Sequence, residues 1–290
     1  MILYCAMGGG LGHISRSLAI LNRSPWLAGR TRLMVSSALA GLTSGHCPCP
    51  MDHVAGEILT SKRKYAAFLS GHLKRHRVQL VIVDTFPSGI VGEWGWVKPS
   101  IPIILVARHV KWKEYIGRTD SEAATSPAHT LAIEPLDDGQ MTALENCGEV
   151  SQLDSPITMG LPNSGSPKRG VLVVHSGPAE ELAKLTKVAR ERVGDAETVE
   201  VISPDRGVYP VESFIRDYST IVSGAGYNMS ALAVQAPPGV THILHPFQRR
   251  YDDQSLRASR IGDGMWSGAG CDGAQKAVTW LEERAEYYLG

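Results

Sequence analysis

The chain opens on an apolar run, Met1–Met7, that ends in the glycines of Gly8–Gly12 and passes into a helix-like stretch, Ser15–Leu27. A strand that turns through glycines into a helix is not one arm of a hairpin. Its helix carries the chain back so that the next strand lies parallel to the first. The pattern recurs. Strand-like runs at Arg32–Ser36, Gln79–Val83, Ile101–Val106, Thr130–Ile133, Gly170–Val174, Thr198–Ile202, Thr220–Val222 and Val240–Leu244 alternate with helical spacing at Ser61–His76, Ala179–Val193, Tyr227–Gln235, Asp253–Ile261 and Gly273–Tyr288. This alternation predicts an α/β fold built on parallel sheets.

A length of 290 residues allows one large domain or two of ordinary size, at ~150 residues each. The composition changes between Ser151 and Arg169, where Pro, Gly and Ser crowd together in PITMGLPNSGSPKRG, as in linkers. We therefore expect two Rossmann-like domains, residues 1–160 and 161–290, with a cleft between them. The 29 Lys+Arg balance 29 Asp+Glu, which argues against a general nucleic-acid binder, whose affinity rests on a basic field. Five cysteines do not make a disulfide scaffold in a chain this long. Cys47 and Cys49 form a C-x-C pair with Pro48 between them and Pro50 after them, and His46 and His53 nearby. The pair is read as reduced thiols on a rigid loop, and no metal site is expected. The N-terminus lacks the basic flank and long apolar run of a secretion signal, and no stretch approaches the ~20 apolar residues of a membrane span. The expected address is cytoplasmic.

Three glycine turns, Gly8–Gly12, His175–Gly177 and Ser223–Gly226, each stand between a strand and a helix. Such a turn lets a ligand approach the backbone while the helix N-terminus offers unpaired N–H groups and partial positive charge, a setting for phosphate. The first turn is not the dinucleotide fingerprint. G-x-G-x-x-G can be forced through it only with Ser15 in the last place, and no acidic residue follows a clear second strand to hold a ribose.

The run Gly-Leu-Gly-His-Ile-Ser-Arg at residues 10–16, followed by Ser17-Leu18-Ala19-Ile20, resembles the opening of GT-B glycosyltransferases. It is similar to the transferase family that adds N-acetylglucosamine to lipid I, and to predicted bacterial and archaeal glycosyltransferases with a G-L-G-H-x-x-R start. Ser223-Gly224-Ala225-Gly226-Tyr227-Asn228 resembles the donor loop of that group. His245-Pro246-Phe247-Gln248 with Asp253-Gln254-Ser255-Leu256-Arg257-Ala258 resembles its sugar-binding segment and following helix, and Asp84-Thr85-Phe86-Pro87 also fits. The resemblance runs from residue 2 to about residue 264. It implies an N-terminal acceptor domain, a C-terminal domain for a nucleotide sugar (a UDP-sugar among the candidates), and inverting transfer that needs no bound metal or other cofactor.

On that resemblance His13 is the general base and Asp84 its orienting partner. Asp84 read by itself equally starts the turn before Pro87, and His13 equally caps its helix or places a phosphate. Arg16 lies one helical turn beyond His13, where it pairs with an anionic acceptor or solvates the face. Gly10 and Gly12 form the acceptor or phosphate loop. Ser176, Gly177, Ser223, Gly224, Ala225, Gly226 and Asn228 supply donors to the leaving diphosphate, with Asn228 also capping its helix. Phe247, Gln248, Asp253 and Gln254 meet the sugar, although Asp253 is equally an N-cap. His175 and His245 stand at strand ends, and Arg249 and Arg250 either meet phosphate or are solvated.

The family pattern has a ribose-binding Glu six residues after the loop glycine. Counting from Gly226 gives Leu232 and from Gly224 gives Ser230, and neither is a carboxylate. That departure leaves three readings open: another ribose ligand, a different donor, or a non-catalytic binder. A sugar-nucleotide 2-epimerase is a fourth reading on the same fold. The acceptor is a small molecule or a lipid-linked sugar. If it is lipid-linked, the basic stretch Ser61–Arg77 is the surface that meets the inner face of the membrane, although a solvated helix face explains the same residues. The sequence leaves the oligomeric state open.

Overall fold

The structure is a computed structural model that describes residues 1–97, 100–119, 126–160, 168–193, 198–215, 217–236, 239–266 and 272–290. The middle of the expected linker, 161–167, lies outside the described residues, and with it the far side of the expected domain boundary.

The first half contains β1 (Ile2–Ala6), α1 (Gly12–Leu21), α2 (Pro25–Arg30), β2 (Thr31–Val35), β3 (Met51–His53), α3 (Lys62–Arg75), β4 (Leu80–Asp84), α4 (Trp94–Val97), β5 (Ile103–Ala107), α5 (Trp112–Thr119), β6 (His129–Ala132), α6 (Asp138–Glu145) and β7 (Glu149–Gln152). Its seven strands are all parallel, in the order β3-β2-β1-β4-β5-β6-β7. The second half contains β8 (Lys168–Val174), α7 (Ala179–Val193), β9 (Val199–Ile202), α8 (Glu212–Ile215), β10 (Tyr218–Gly224), α9 (Tyr227–Val234), β11 (Thr241–His245), α10 (Gln254–Gly262) and α11 (Gly273–Leu289). Its four parallel strands run β11-β10-β8-β9. The expected α/β class and pair of parallel sheets are what the chain forms.

The central strands read as unbroken apolar runs because both faces of the sheet are covered. Along β1, alternate side chains serve two cores. Ile2, Tyr4 and Ala6 pack beneath α1 and α11, whereas Leu3 and Cys5 face Tyr65 and Leu69 of α3, the period-two consequence of the pleat. Helix α1 has its whole span from Ile14 to Leu21 buried, including Arg16, so any charge it carries must find its partner inside the protein.

Two differences from the sequence reading have physical causes. The expected helix Ser15–Leu27 is two helices, because Ser24 caps a new start by accepting from Leu27 N and Pro25 stands at its first turn. Strands β3 and β7 are new; both are short sheet edges with half-exposed side chains, and such edges carry no apolar signal. A third difference concerns the ending. Helix α11 lies on the first sheet, where Ala274, Ala277, Val278, Leu281 and Ala285 join the core of β1 and α1. Tyr227 and Ala231 of α9 enter the same core. Residues 161–290 are thus not all packed on the second sheet.

Candidate functional site

In the first sheet the chain leaves β1 toward β2 on one side and toward β4 on the other. The crevice beyond the carboxyl ends of such diverging strands is where open α/β sheets bind ligands. The glycine turn after β1 and Asp84 at the end of β4 both open there. The second sheet has the same arrangement between β8 and β10, whose following turns are His175–Pro178 and Gly224–Gly226. The two crevices face one cleft of about 730 Å³, lined by Gly9–Arg16 apart from Ile14, by Val174–Pro178, by Gly224 and by Gly226–Met229. The three glycine turns of the sequence therefore converge, each ahead of a helix N-terminus.

The glycines divide by what surrounds them. A Cβ on Gly8 would lie 2.2 Å from His13 Cδ2, and one on Gly177 would lie 2.4 Å from His175 Nε2. Those two let a histidine ring pack close against the backbone. A Cβ on Gly9, Gly10 or Gly12 would meet nothing within 4 Å, so the fold itself does not require glycine there. What glycine supplies at those positions is uncovered backbone facing the cleft.

His13 lies at the start of α1, with Nδ1 2.5 Å from Asp84 Oδ2. Asp84 is 1% exposed. It also accepts from Arg16, Nε to Oδ1 at 2.8 Å and Nη2 to Oδ2 at 2.5 Å. Arg16 neither meets solvent nor stands free for an acceptor, which corrects both sequence readings of it. Its guanidinium is buried against Asp84 and lies 4.9 Å from the centre of the Tyr227 ring, across the join between the halves. Burial alone would raise the Asp84 pKa, but Arg16 and His13 outweigh it and hold the carboxyl well below the usual range. Burial lowers His13 below its usual 6.5, against the opposing pull of Asp84. Around neutral pH the ring is therefore neutral, and a neutral ring that donates from Nδ1 to a carboxylate keeps Nε2 as its basic nitrogen. Next to Asp84, Thr85 has φ +76°, a costly conformation for a β-branched residue. Its Oγ1 donates to Asp84 Oδ2 at 3.1 Å and accepts from Arg16 Nη2 at 3.1 Å and from Arg108 Nε at 3.3 Å.

Gln254 lines the cleft, held by Phe247 N donating to its Oε1 at 3.0 Å. Ser176, Gly177 and Asn228 also line it. The N-cap of α9 is Gly226, with no side-chain cap bond, so Asn228 does not cap its helix; its Oδ1 is buried without a partner among the described residues. Ser223 is fully buried, with Oγ 3.0 Å from His242 Nε2. Ala225 is also fully buried, Phe247 backs Gly224, and Gln248 points to solvent. Asp253 caps α10 by accepting from Leu256 N at 3.0 Å. These five residues do not line the cleft. Arg249 is held by Glu181, to which His175 Nε2 also binds at 2.8 Å, and Arg250 packs over Tyr251. His245 packs edge-on against Phe247 outside the cleft. Leu232 lines the cleft and Ser230 does not.

The sequence reading missed Glu212, Tyr209, Tyr251, Arg108 and Asp252, all of which line the cleft. Glu212 is 5% exposed, and burial raises its pKa. Asp252 bridges the halves, accepting from Arg108 Nη1 at 2.5 Å and lying 2.8 Å from Arg257 Nη2. Arg257 in turn meets Glu134 at 2.7 and 2.8 Å.

No family model matches the chain, and no curated protein sequence matches it. Solved structures do. A glycosyltransferase of Streptomyces sp. SF2575 superposes with TM-score 0.54 at 12% identity, over 96% of this chain and 90% of its own. MurG of Acinetobacter baumannii gives 0.51 at 11%, over 97% and 99%. A UDP-GlcNAc 2-epimerase of Methanocaldococcus jannaschii gives 0.55 at 11%, over 98% and 100%. The chain has the two-sheet GT-B architecture that these structures share. Identities this low establish the fold and leave the chemistry to the site.

Proposed function

We propose that the protein is a metal-independent, inverting glycosyltransferase that moves a sugar from a nucleotide-sugar donor, UDP-linked sugars being the first to test, to an acceptor hydroxyl. The observation that carries this reading is His13, backed by the buried Asp84, in a cleft that two other glycine-led helix N-termini also face. His13 Nε2 takes the proton from the acceptor hydroxyl while Asp84 holds Nδ1 and stabilises the cation that forms. The acceptor oxygen bonds to the anomeric carbon from the face opposite the diphosphate, and the bond to the diphosphate oxygen breaks with its electron pair. Backbone N–H groups at the starts of α9 and α7 receive the negative charge that grows on the leaving phosphates. In this reading Gly10 and Gly12 leave backbone open toward the acceptor, and Gln254 meets the sugar.

Transfer or donor hydrolysis is to be measured across UDP-, GDP-, dTDP- and ADP-sugars, with and without EDTA and with His13→Ala as control. Unchanged turnover in that variant removes His13 from the base role. Thermal-shift measurements with the four nucleoside diphosphates separate an active site from a non-catalytic relative, since a ligand that binds the native state raises its stability by mass action. No shift with any of them, and no turnover, supports the non-catalytic reading.

A 2-epimerase is the second reading, favoured by the epimerase superposition and by the two further cleft carboxylates, Glu212 and Asp252. Incubation with a UDP-sugar and no acceptor separates the two: an epimeric UDP-sugar marks the epimerase, and free sugar or unchanged donor does not.

A further inference from the structure

On the far side of the first sheet, α3 ends beside the edge strand β3. His72 and His76 are four residues apart at the end of α3, so they share a face of the helix; their ring centres are 4.4 Å apart. Asp52 of β3 reaches the same place. One ligand atom from each of the three lies within 4.8 Å of the other two. None of the three residues lines the cleft, and the site is independent of the function proposed above.

Two observations show that this is more than a chance meeting of side chains. His72 is 6% exposed, yet its Nε2 is buried without a hydrogen-bond partner among the described residues, and it faces the Asp52 carboxylate. Buried polar atoms are costly when unpaired. His72 Nε2 and Asp52 Oδ2 lie 3.5 Å apart. Donors bound to one tetrahedral Zn²⁺ at 2.0–2.1 Å stand about 3.3–3.4 Å from each other, so a single ion between them would give the imidazole its missing partner with almost no movement. Arg32 Nε lies 2.7 Å from Asp52 Oδ2 and forms an ion pair with it, so Arg32 is the counter-charge that holds the carboxylate beside His72.

We infer that Asp52, His72 and His76 form a binding site for a divalent transition-metal ion, Zn²⁺ by preference. Two imidazoles and one carboxylate suit Zn²⁺ and its neighbours, whereas Mg²⁺ and Ca²⁺ take oxygen-only sets. Three protein ligands leave the fourth tetrahedral position for water. The ion would tie the edge strand β3 to the end of α3.

The test uses the full chain, stripped with chelator and dialysed against ZnCl₂, then against MgCl₂. We expect one Zn²⁺ per chain and no retained Mg²⁺, with a rise in Tm on Zn²⁺ addition. His76→Ala, at an exposed helix end, and Asp52→Asn should each weaken Zn²⁺ binding by more than about 100-fold, beyond the ~10–100-fold that loss of an outer-shell partner costs. The variant Cys47→Ser/Cys49→Ser should bind as the parent does. Co²⁺ bound to the unaltered protein should show tetrahedral d–d bands without thiolate charge transfer, a readout that does not depend on how any variant folds. Less than stoichiometric Zn²⁺ on the parent, binding that survives the His76 and Asp52 substitutions, or a thiolate charge-transfer band would each overturn the assignment.

Discussion

Asp84 and Arg16 form a fully buried bidentate pair between the end of β4 and the first turns of α1, and His13 binds the oxygen that Arg16 Nη2 also engages. One carboxylate thus orients the imidazole and neutralises a charge that the enclosed helix could not otherwise carry. The two duties separate under mutation.

His13→Ala removes the proposed base and leaves the Arg16–Asp84 pair in place. We expect kcat to fall by about 10²–10⁴-fold and the Kd for the nucleoside diphosphate to stay within a few-fold, measured by steady-state assay and calorimetry. Because burial sets the His13 pKa below 6.5, the acidic limb of kcat/KM should lie below pH 6.5, activity falling as the pH drops through that range and Nε2 takes up a proton. A profile with no acidic limb below pH 6.5 counts against His13 as base.

Asp84→Asn should damage stability as well as turnover, because it leaves the Arg16 guanidinium buried without a counter-charge, a loss of about 3–5 kcal/mol. The pH dependence has a definite sign. The folded-state pKa of Asp84 is depressed below its usual 3.8, so its contribution is fully present above about pH 4 and is lost as the pH falls. Urea denaturation at pH 7 should show the full deficit. Below pH 4 the parent should approach the variant, and parallel curves down to pH 2 would sink the assignment.

His13 and Asp84 were each legible in the sequence, one at a loop-to-helix junction and the other at the end of an apolar strand, but their pairing stood beside a turn-starting role for Asp84; the contact follows from the strand order, which sets β1 next to β4. The glycine turns were legible as well. Arg16 was not: the local spacing put it on the His13 face, but its partner is 68 residues away, and no local pattern announces a long-range ion pair. Glu134 and Arg257, 123 residues apart, were hidden in the same way. Asp253 and Asn228 show the reverse case. Each sits at the start of a helix, a position that suits both capping and ligand contact. The structure gives the cap to Asp253 and leaves Asn228 facing the cleft. Glu212 and Tyr209 lie in or beside a short helix with no motif, and only the folded chain brings them to the site.

Gly8 and Gly10 should respond differently to alanine. In Gly8→Ala the new Cβ collides with the His13 ring at 2.2 Å, so the ring must leave Asp84. We expect a fall in kcat close to that of His13→Ala. In Gly10→Ala the Cβ meets nothing, so Tm should hold within about 2 °C, a shift that corresponds to under ~1 kcal/mol in a chain of this size. Its KM for acceptor or donor should rise, because a methyl group now stands where a ligand would approach the backbone. A Gly10→Ala enzyme with both constants unchanged would show that this part of the turn makes no ligand contact.

The join between the halves rests on another buried pair. Glu134 and Arg257 are each 2% exposed in their side chains and connect the end of β6 to α10, with Asp252 beside them. Glu134→Gln keeps the shape and removes the charge, which leaves Asp252 as the carboxylate that faces Arg257. We expect a loss of up to about 3–5 kcal/mol, read from denaturant unfolding at pH 7. The paired change Glu134→Leu/Arg257→Met should recover much of that loss, since well-packed apolar groups of similar volume often match a buried ion pair. Recovery of stability without recovery of turnover would mean that the charge network sets the geometry of the cleft. The main-chain contact supports this outcome: Arg257 Nη1 donates to Ala225 O at 3.2 Å, inside the glycine turn that leads into α9.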